Sequence, residues 1–486
     1  MASKQNYTEL LPTEVLCMVF DRLDGRNLKT ASLCCKRWNN IIFHSDYIGR
    51  FYIHIGVLSN AASKTNPIQS LLQRAKELAH TERRYRKFGF LVMQFMEEVV
   101  TDLWKIIHPK HGDHIQMLEL MFVAAPMDDL FALMIERIPS MPQLRFLFVM
   151  EGLLFRNLLL YPEYNQKNIP LIRSESLEEL EMNCKYKYTV DMPRLKVFKG
   201  ALSGLLPPDT GDAESLVLAK LRDLEVTVES WQPINQSVFR RMPNLVKIAW
   251  DIPVADDLFI AMCVRCQSLT EAWFSNDVLI SRRSIFDQLS KLTQLRLLSF
   301  YSIDIKLHQD VFLDLSKLIH LEDLDLGYTH LMPISLLSLS KSIRKLGLHI
   351  TARNEQDLME IMAQNLTQLT ELRLSCHPAP ISSRALKALA SLQQLEVLAF
   401  SHSQFTQSFF LGMDAPMPRV RTLGFHHCQL DTKQLLGLQD NFPNVKNPEF
   451  LECKITNESQ ADSDPNDTIH AFMTAFADRL QAAFRS

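Results

Sequence analysis

Glycine is scarce: the 486-residue chain has 14, and nowhere do they form the Gly-rich loop whose backbone N–H groups cradle a phosphate. Charge of one sign is lacking too. Lys and Arg number 52 and Asp and Glu 55, a net charge of -3 that offers no general attraction to nucleic acid or to an anionic membrane. No apolar run approaches the length that spans a bilayer, and the polar start Met1-Ala2-Ser3-Lys4-Gln5-Asn6 lacks the apolar stretch of a secretory signal. These absences lead us to expect an intracellular protein, cytoplasmic or nuclear, that partners neither nucleic acid nor membrane. The nine cysteines are odd in number and scattered, which suits reduced thiols better than a disulfide framework. On that reading the sequons at Asn6, Asn235, Asn365, Asn457 and Asn466 are chance matches.

What the chain has is apolar residues in a repeating order. Hydrophobic residues make up 47% of it, enough for a folded protein, and its length exceeds one ordinary compact domain. The pattern apolar-x-x-apolar-x-apolar starts at Leu177, Leu221, Leu245, Leu269, Leu295, Leu321, Ile343, Leu369, Leu395 and Val420. Weaker copies start at Ile115, Leu144, Leu195 and Val445. Steps of roughly 25 residues lie within the leucine-rich-repeat range. A second phase keeps the same register. Three residues before the starts stand Met141, Met192, Leu218, Met242, Cys266, Leu292, Leu318, Leu366, Leu392, Met417 and Phe442, read as the packing residue that ends each returning helix.

The unit this predicts is a short strand, a turn and a helix that brings the chain back. One unit cannot bury its apolar side alone, so units stack into a curved solenoid with a parallel concave sheet and convex helices, an α/β fold. Pro142, Pro193, Pro243, Pro418 and Pro443 fall just before strands, where a fixed φ and a missing N–H do no harm. The pattern resembles leucine-rich repeats of the intracellular, cysteine-tolerant kind, most closely around Cys266.

Ahead of the repeats, Leu10 to Trp38 reads as short helices with apolar residues on more than one side: Val15, Leu16, Val19, Phe20 and Leu23 cover a wider arc than one stripe needs. Leu11-Pro12, Glu14, Leu16, Phe20, Leu23, Leu28, the run Ser32-Leu33-Cys34-Cys35-Lys36-Arg37-Trp38 and Ile41-Ile42 resemble an F-box, with Cys34 where valine is usual. The resemblance implies docking on the Skp adaptor of SCF-type ubiquitin ligases, and through it on cullin and RING subunits. It also answers where the spare apolar surface goes, since a motif of roughly 45 residues is marginal alone. By resemblance Leu11, Pro12, Leu16, Phe20 and Trp38 touch the adaptor, and Leu23 and Leu28 divide between contact and internal packing. The plainer alternative is a small helical cap with an ordinary core.

The expected organisation is an F-box helical domain over 1–55, a helical linker with an irregular first repeat over 56–110, and the repeat solenoid over 111–455. An acidic linker over 456–467 and an amphipathic helix over 468–486 follow, the helix capping the last repeat. Arg83, Arg84, Arg86 and Lys87 form a basic cluster, read as a solvated edge with a phosphate or import role as the alternative. Cys263 and Cys266 make a single pair without the second pair a zinc site needs. Cys428 and Cys453 fall where leucine-rich repeats place asparagine or cysteine to satisfy turn backbone groups, which weighs against a hydrolase built on Cys428 and nearby histidines. No cofactor or metal is expected.

Recognition belongs on the outward strand positions, which alternate with the buried leucines. Those include Glu179, Glu181, Asp223, Glu225, Asp251, Glu271, Trp273, Tyr301, Asp323 and Asp325, then Lys345, His349, Arg373 and His426. The early strands read as acidic with aromatics at the centre, the later ones as leaning basic. The expected ligand is a protein with a basic segment anchored by Trp273 and Tyr301. The function expected is that of a non-catalytic substrate receptor delivering a target for ubiquitination and proteasomal degradation, against a repeat scaffold that promotes no degradation.

Overall fold

In the computed structural model of the chain, most repeats begin with the same turn, Leu177 being an exception whose N–H bonds the Ser174 hydroxyl. The starting residue's N–H bonds the carbonyl three residues back: Leu144 to Met141 (3.1 Å), Leu195 to Met192 (3.2 Å), Leu269 to Cys266 (3.1 Å) and Val445 to Phe442 (3.1 Å). Pro142, Pro193, Pro243, Pro418 and Pro443 occupy the second position of such turns, where a φ of about −65° is wanted and no N–H is needed. The structure describes residues 11–56, 67–92, 97–122, 128–151, 169–184, 186–206, 217–228, 230, 234, 236–280, 283–305, 311–351, 353–376, 380–405, 409–412, 415–431, 435 and 437–456. The expected carboxy-terminal helix and nearly all of its acidic linker lie outside the described residues.

Two compact units divide the chain, Met1–Arg222 with Thr227–Ile234, and Asp223–Val226 with Asn235–Ser486. The first opens with helices α1 (Thr13–Phe20), α2 (Gly25–Ser32) and α3 (Lys36–Phe43). Strands β1 (Tyr52–Ile55), β2 (Lys87–Val92), β3 (Met117–Phe122), β4 (Phe146–Glu151), β5 (Leu171–Arg173), β6 (Glu179–Asn183), β7 (Thr189–Asp191) and β8 (Val197–Ala201) follow. A parallel ladder runs β1-β2-β3-β4-β6-β8, and β5 pairs with β7 apart from it.

The ladder therefore starts at Tyr52, inside the segment assigned to the helical domain and well before residue 111. The reason is chemical: Tyr-Ile-His-Ile in β1 pairs through its backbone while lacking the leucines that mark later repeats. Two residues of the basic cluster join the helices to this ladder. The Arg83 guanidinium lies over the Phe43 ring at 3.6 Å, and Arg86 bridges Asp46 at 3.1 Å.

The second unit contains β9 (Asp223–Val228, its first four residues here), β10 (Lys247–Trp250), β11 (Glu271–Ile280), β12 (Leu297–Ile305), β13 (Asp323–Asp325) and β14 (Lys345–Ile350). It continues with β15 (Glu371–Cys376), β16 (Val397–Ser401), β17 (Thr422–His426), β18 (Gln429–Asp431), β19 (Glu449–Leu451) and β20 (Lys454–Thr456). All but β18 and β20, which pair with each other, form one parallel ladder in chain order. Its register is unshifted between most neighbours, so Asp223, Lys247, Glu271, Leu297, Asp323, Lys345, Glu371 and Val397 stand in one row.

The returning segments are not all α-helices. Asp256–Arg265, Glu355–Asn365 and Ser383–Leu389 are, whereas Gln236–Arg241, Arg283–Lys291 and Pro333–Ser338 are 3-10 helices. A 3-10 helix rises about 2.0 Å per residue against 1.5 Å for α, so a short return covers its distance with fewer residues.

Beneath each strand the alternate residues are buried: Leu224, Ile248, Ala272, Leu298, Leu324, Leu346, Leu372, Leu398 and Leu423 are at most 2% exposed. So are Met141, Met192, Cys266, Leu318 and Phe442 from the second phase. Two residues further along, Phe400, Phe425 and Phe450 stack, with ring centroids 5.7 and 5.2 Å apart. Truncating the middle ring leaves a cavity both neighbours line. Phe425→Ala should cost about 3–5 kcal/mol and Phe425→Leu clearly less, read as lowered denaturant midpoints with hydrogen exchange localising the loss to the last repeats.

Candidate functional site

The helical domain completes its own core. Pro12 sits at the N-cap of α1, where its carbonyl takes the Leu16 N–H at 3.2 Å. Asp24 caps α2: its side chain accepts the Asn27 N–H at 2.8 Å. Cys35 caps α3 through its sulfur. Arg50 donates to the carbonyls of Phe20 (3.1 Å) and Leu23 (2.9 Å), satisfying the end of α1. Tyr47 donates to the Cys17 carbonyl at 2.8 Å, and burial, with the Asp21 hydrogen bond next, pushes its phenol up.

Inside this frame Leu16, Phe20 and Leu28 are at most 1% exposed. Phe20 meets Trp38 edge-on at 5.3 Å and Tyr47 at 5.9 Å. The expectation that Leu16, Phe20 and Leu28 offer surface to a partner is therefore corrected: they are spent on internal packing. Leu23 and Trp38 are half-buried, and Leu11 and Pro12 are exposed. The apolar surface left over comes from Leu11, Val15, Met18, Val19 and Leu33, with Met18 69% and Leu33 79% exposed. Of these, Val15 and Val19 are legible as the extra arc of α1. Met18 and Leu33 were missed, because only the packing of α2 and α3 decides which side of each helix is covered.

In the first repeat unit Glu179 and Glu181 are half-buried on β6, and Asn183 donates to Glu181 at 2.7 Å. The neighbouring Glu178 accepts from Arg145 (3.0 Å) and Lys196 (2.8 Å), which hold its carboxyl down at about 2.

In the second unit the outward rows are paired charge by charge. Lys247 bridges Glu271 at 3.1 Å, and Lys345 bridges Glu371 at 3.3 Å. Arg373 bridges both Glu371 and, at 3.5 Å, Asp325 across the intervening strand. Gly347 stands between: a Cβ there would lie 2.4 Å from an Asp325 oxygen. On the later strands Lys345 and Arg373 thus share Glu371. Asp223, Glu225, Glu271, Asp323, Asp325 and Glu371 face Lys247, Lys345 and Arg373 in these rows, an acidic excess. Burial raises the carboxyls of Asp223 and Asp323. Trp273 is half-buried between Ala249 and Ser299, and Tyr301 is 52% exposed.

His349 departs from its expected place on the open face. It is 4% exposed, its Nδ1 3.0 Å from Ser375 Oγ, with Tyr328 and His330 ring centroids 5.8 and 5.3 Å away. Tyr328, His330, His349 and His402 line a cavity of about 370 Å³. Tyr301 meets Tyr328 edge-on at 5.2 Å. His402 stacks on His427 at 4.6 Å, and His427 Nδ1 lies 3.1 Å from Glu452. His402, His427 and Glu452 adopt φ of 49°, 52° and 52°, the left-handed region, at one turn position of three successive repeats. Sequence reasoning missed Tyr328, His330 and His402, which belong to turns and carry no period of their own.

The cysteines take structural places. Cys428 is 1% exposed and donates to the carbonyls of Phe400 and His426, both at 3.4 Å, while Cys453 donates to Phe425 at 3.1 Å. Its hydrogen bond with Cys453 and its burial push the Cys428 thiol up, so it is no ready nucleophile. Burial likewise pushes Cys263 up, and Cys266 up to about 12. Among the described residues no three His, Cys, Asp or Glu side chains are grouped to hold a metal ion, and no helix is long and apolar enough to cross a membrane.

Residues 8–51 match the F-box-like family. Human F-box only protein 48 is 48% identical over 44 residues, a match spanning 9% of this chain and 28% of that protein. A chain of the mouse RP105/MD-1 complex superposes with a TM-score of 0.38 at 13% identity, over 76% of this chain and 63% of that one. The internalin InlF from Listeria monocytogenes gives 0.32 at 13% identity, over 68% and 80%. A chain of the TLR13–ssRNA13 complex gives 0.38 at 13% identity, over 77% and 50%. The repeat architecture rests on the ladder and its register, and not on these neighbours. The molecule is an F-box-like domain followed by leucine-rich-repeat units.

Met18 is 69% exposed, whereas Met134, Met182 and Met262 are 0% exposed. Mild peroxide treatment followed by mass spectrometry should convert Met18 to sulfoxide far ahead of those three. Equal rates would contradict the packing of α1.

Proposed function

We propose that the chain is a substrate receptor of an SCF-type ubiquitin ligase. The observation that carries this is the F-box-like match over residues 8–51 on a domain that closes its core and still leaves Leu11, Val15, Met18, Val19 and Leu33 exposed. That surface docks on the Skp adaptor, which links the chain to cullin and RING subunits. Leu11, Pro12, Leu23 and Trp38 keep their place in the interface, and Leu16, Phe20 and Leu28 shape it from inside. The repeat units hold the target through their outward strand positions: Glu179 and Glu181 in one unit, and Asp223, Glu225, Trp273, Tyr301, Asp323, Asp325 and Arg373 in the other. The receptor contributes no acid, base or nucleophile. It raises the effective concentration of target lysines near the conjugating enzyme, in the cytoplasm or nucleus, and the target goes to the proteasome.

The test separates this from a scaffold that promotes no degradation. Leu11→Ala/Pro12→Ala and, independently, Met18→Glu should each weaken adaptor binding by about thirtyfold, the size of a hot-spot loss of about 2 kcal/mol, with circular dichroism unchanged. Adaptor binding should also protect Met18 from peroxide. Full adaptor recovery by both folded variants would refute the docking surface. Co-purification of adaptor without cullin, or a target whose half-life is insensitive to the variants, would favour the scaffold.

A further inference from the structure

The cavity of about 370 Å³ bounded by Tyr328, His330, His349 and His402 has walls made of rings, with His349 held by Ser375 and His402 stacked on His427. We propose that this cavity is an arginine-accepting subsite, taking a guanidinium side chain from a basic segment of the bound target. The inference deepens the target-binding part of the proposed function and rests on it.

Three features choose the occupant. First, the rings meet edge-to-face around the cavity, Tyr328 against His349 at 5.8 Å and against His402 at 5.5 Å, with Tyr301 at 5.2 Å behind. A planar guanidinium stacks on aromatic rings, whereas a compact ammonium does so less well. Second, acceptors are at hand. No hydrogen bond engages Tyr328 Oη or the His330 nitrogens among the described residues, and a guanidinium brings five donors. Third, the surrounding charge has the right sign. On β13, β14 and β15 beside it Asp323, Asp325 and Glu371 stand against Lys345 and Arg373, and Glu452 backs His427 at 3.1 Å.

The same features count against an anion. A phosphate site needs a standing cation, and no Lys or Arg lines the cavity. Arg373 is already held by Asp325 and Glu371. A metal ion is also disfavoured, since no three ligating side chains converge among the described residues.

The experiment uses the full chain and fluorescein-labelled peptides of alternating glycine with arginine, lysine, citrulline or phosphoserine, followed by anisotropy at 150 mM salt. The arginine peptide should bind at least fivefold tighter than the lysine peptide, and the citrulline and phosphoserine peptides should not bind. Tyr328→Ala/His402→Ala should abolish the preference, bringing arginine down to the lysine level. Glu271→Gln, away from the cavity, should weaken both basic peptides alike. If the double variant does not fold, His330→Ala at an exposed position serves, with a smaller loss of preference expected. Equal binding of arginine and lysine, a preference that survives the ring variants, tighter binding of phosphoserine, or no binding at all would each overturn the subsite. Adaptor binding is measured on the same preparations. A chain that holds the adaptor and shows no arginine preference refutes the subsite and leaves the receptor reading standing, while the reverse pattern does the opposite.

Discussion

A parallel strand in these units satisfies its backbone only when neighbours on both sides hold the same register, and the rest of the structure depends on that register. It is set by the turn at the start of most repeats, where one N–H bonds the carbonyl three residues back and drops the next two apolar residues beneath the strand. A slip of one residue would exchange the buried leucines for the charged residues between them. The tight turn, the buried packing residue before it and the proline in its second position are three readings of one requirement.

Register also explains why the outward face is paired as it is. In-register strands about 4.8 Å apart bring like positions side by side, so a row of identical charges would repel along its whole length. Lys247 beside Glu271 and Lys345 beside Glu371 break up the acidic row. Where a strand offers only glycine, as at Gly347, Arg373 reaches past it to Asp325. Each exposed pair adds little stability. What the pairing fixes is which groups remain to meet a partner, and in the second unit the residue is acidic and aromatic.

Periodicity made the repeats legible because burial at fixed intervals leaves its mark on residue type. The leucine starts, the second phase from Met141 to Phe442 and the turn-satisfying role of Cys428 and Cys453 all follow from it. Tyr52 at the head of the ladder did not, since β1 joins by its backbone, one buried residue, Ile55, and the Tyr52 hydroxyl on Glu119, without the repeat's leucines. Nor did the split of the F-box-like helices into inside and outside: Leu16 and Val15 look alike in sequence, and only the contacts of Phe20, Trp38 and Tyr47 decide which is covered. His349 was placed on the open face by strict alternation, yet Tyr328 and His330 from the preceding turn close over it.

That last case shows where recognition arises in such a fold. Strand positions are constrained by their neighbours in the row, whereas the turn after each strand is free to differ from repeat to repeat. Left-handed φ at His402, His427 and Glu452 turns the same backbone corner three times, with histidine at the first two and glutamate at the third. Histidine at two successive corners gives a stacked pair, and Glu452 at the third supplies its hydrogen-bond partner. The ladder below repeats in its backbone and differs from strand to strand only in its outward side chains. The turns above it vary in both backbone and side chain, and those carrying Tyr328, His330 and His402 bring their rings to one cavity.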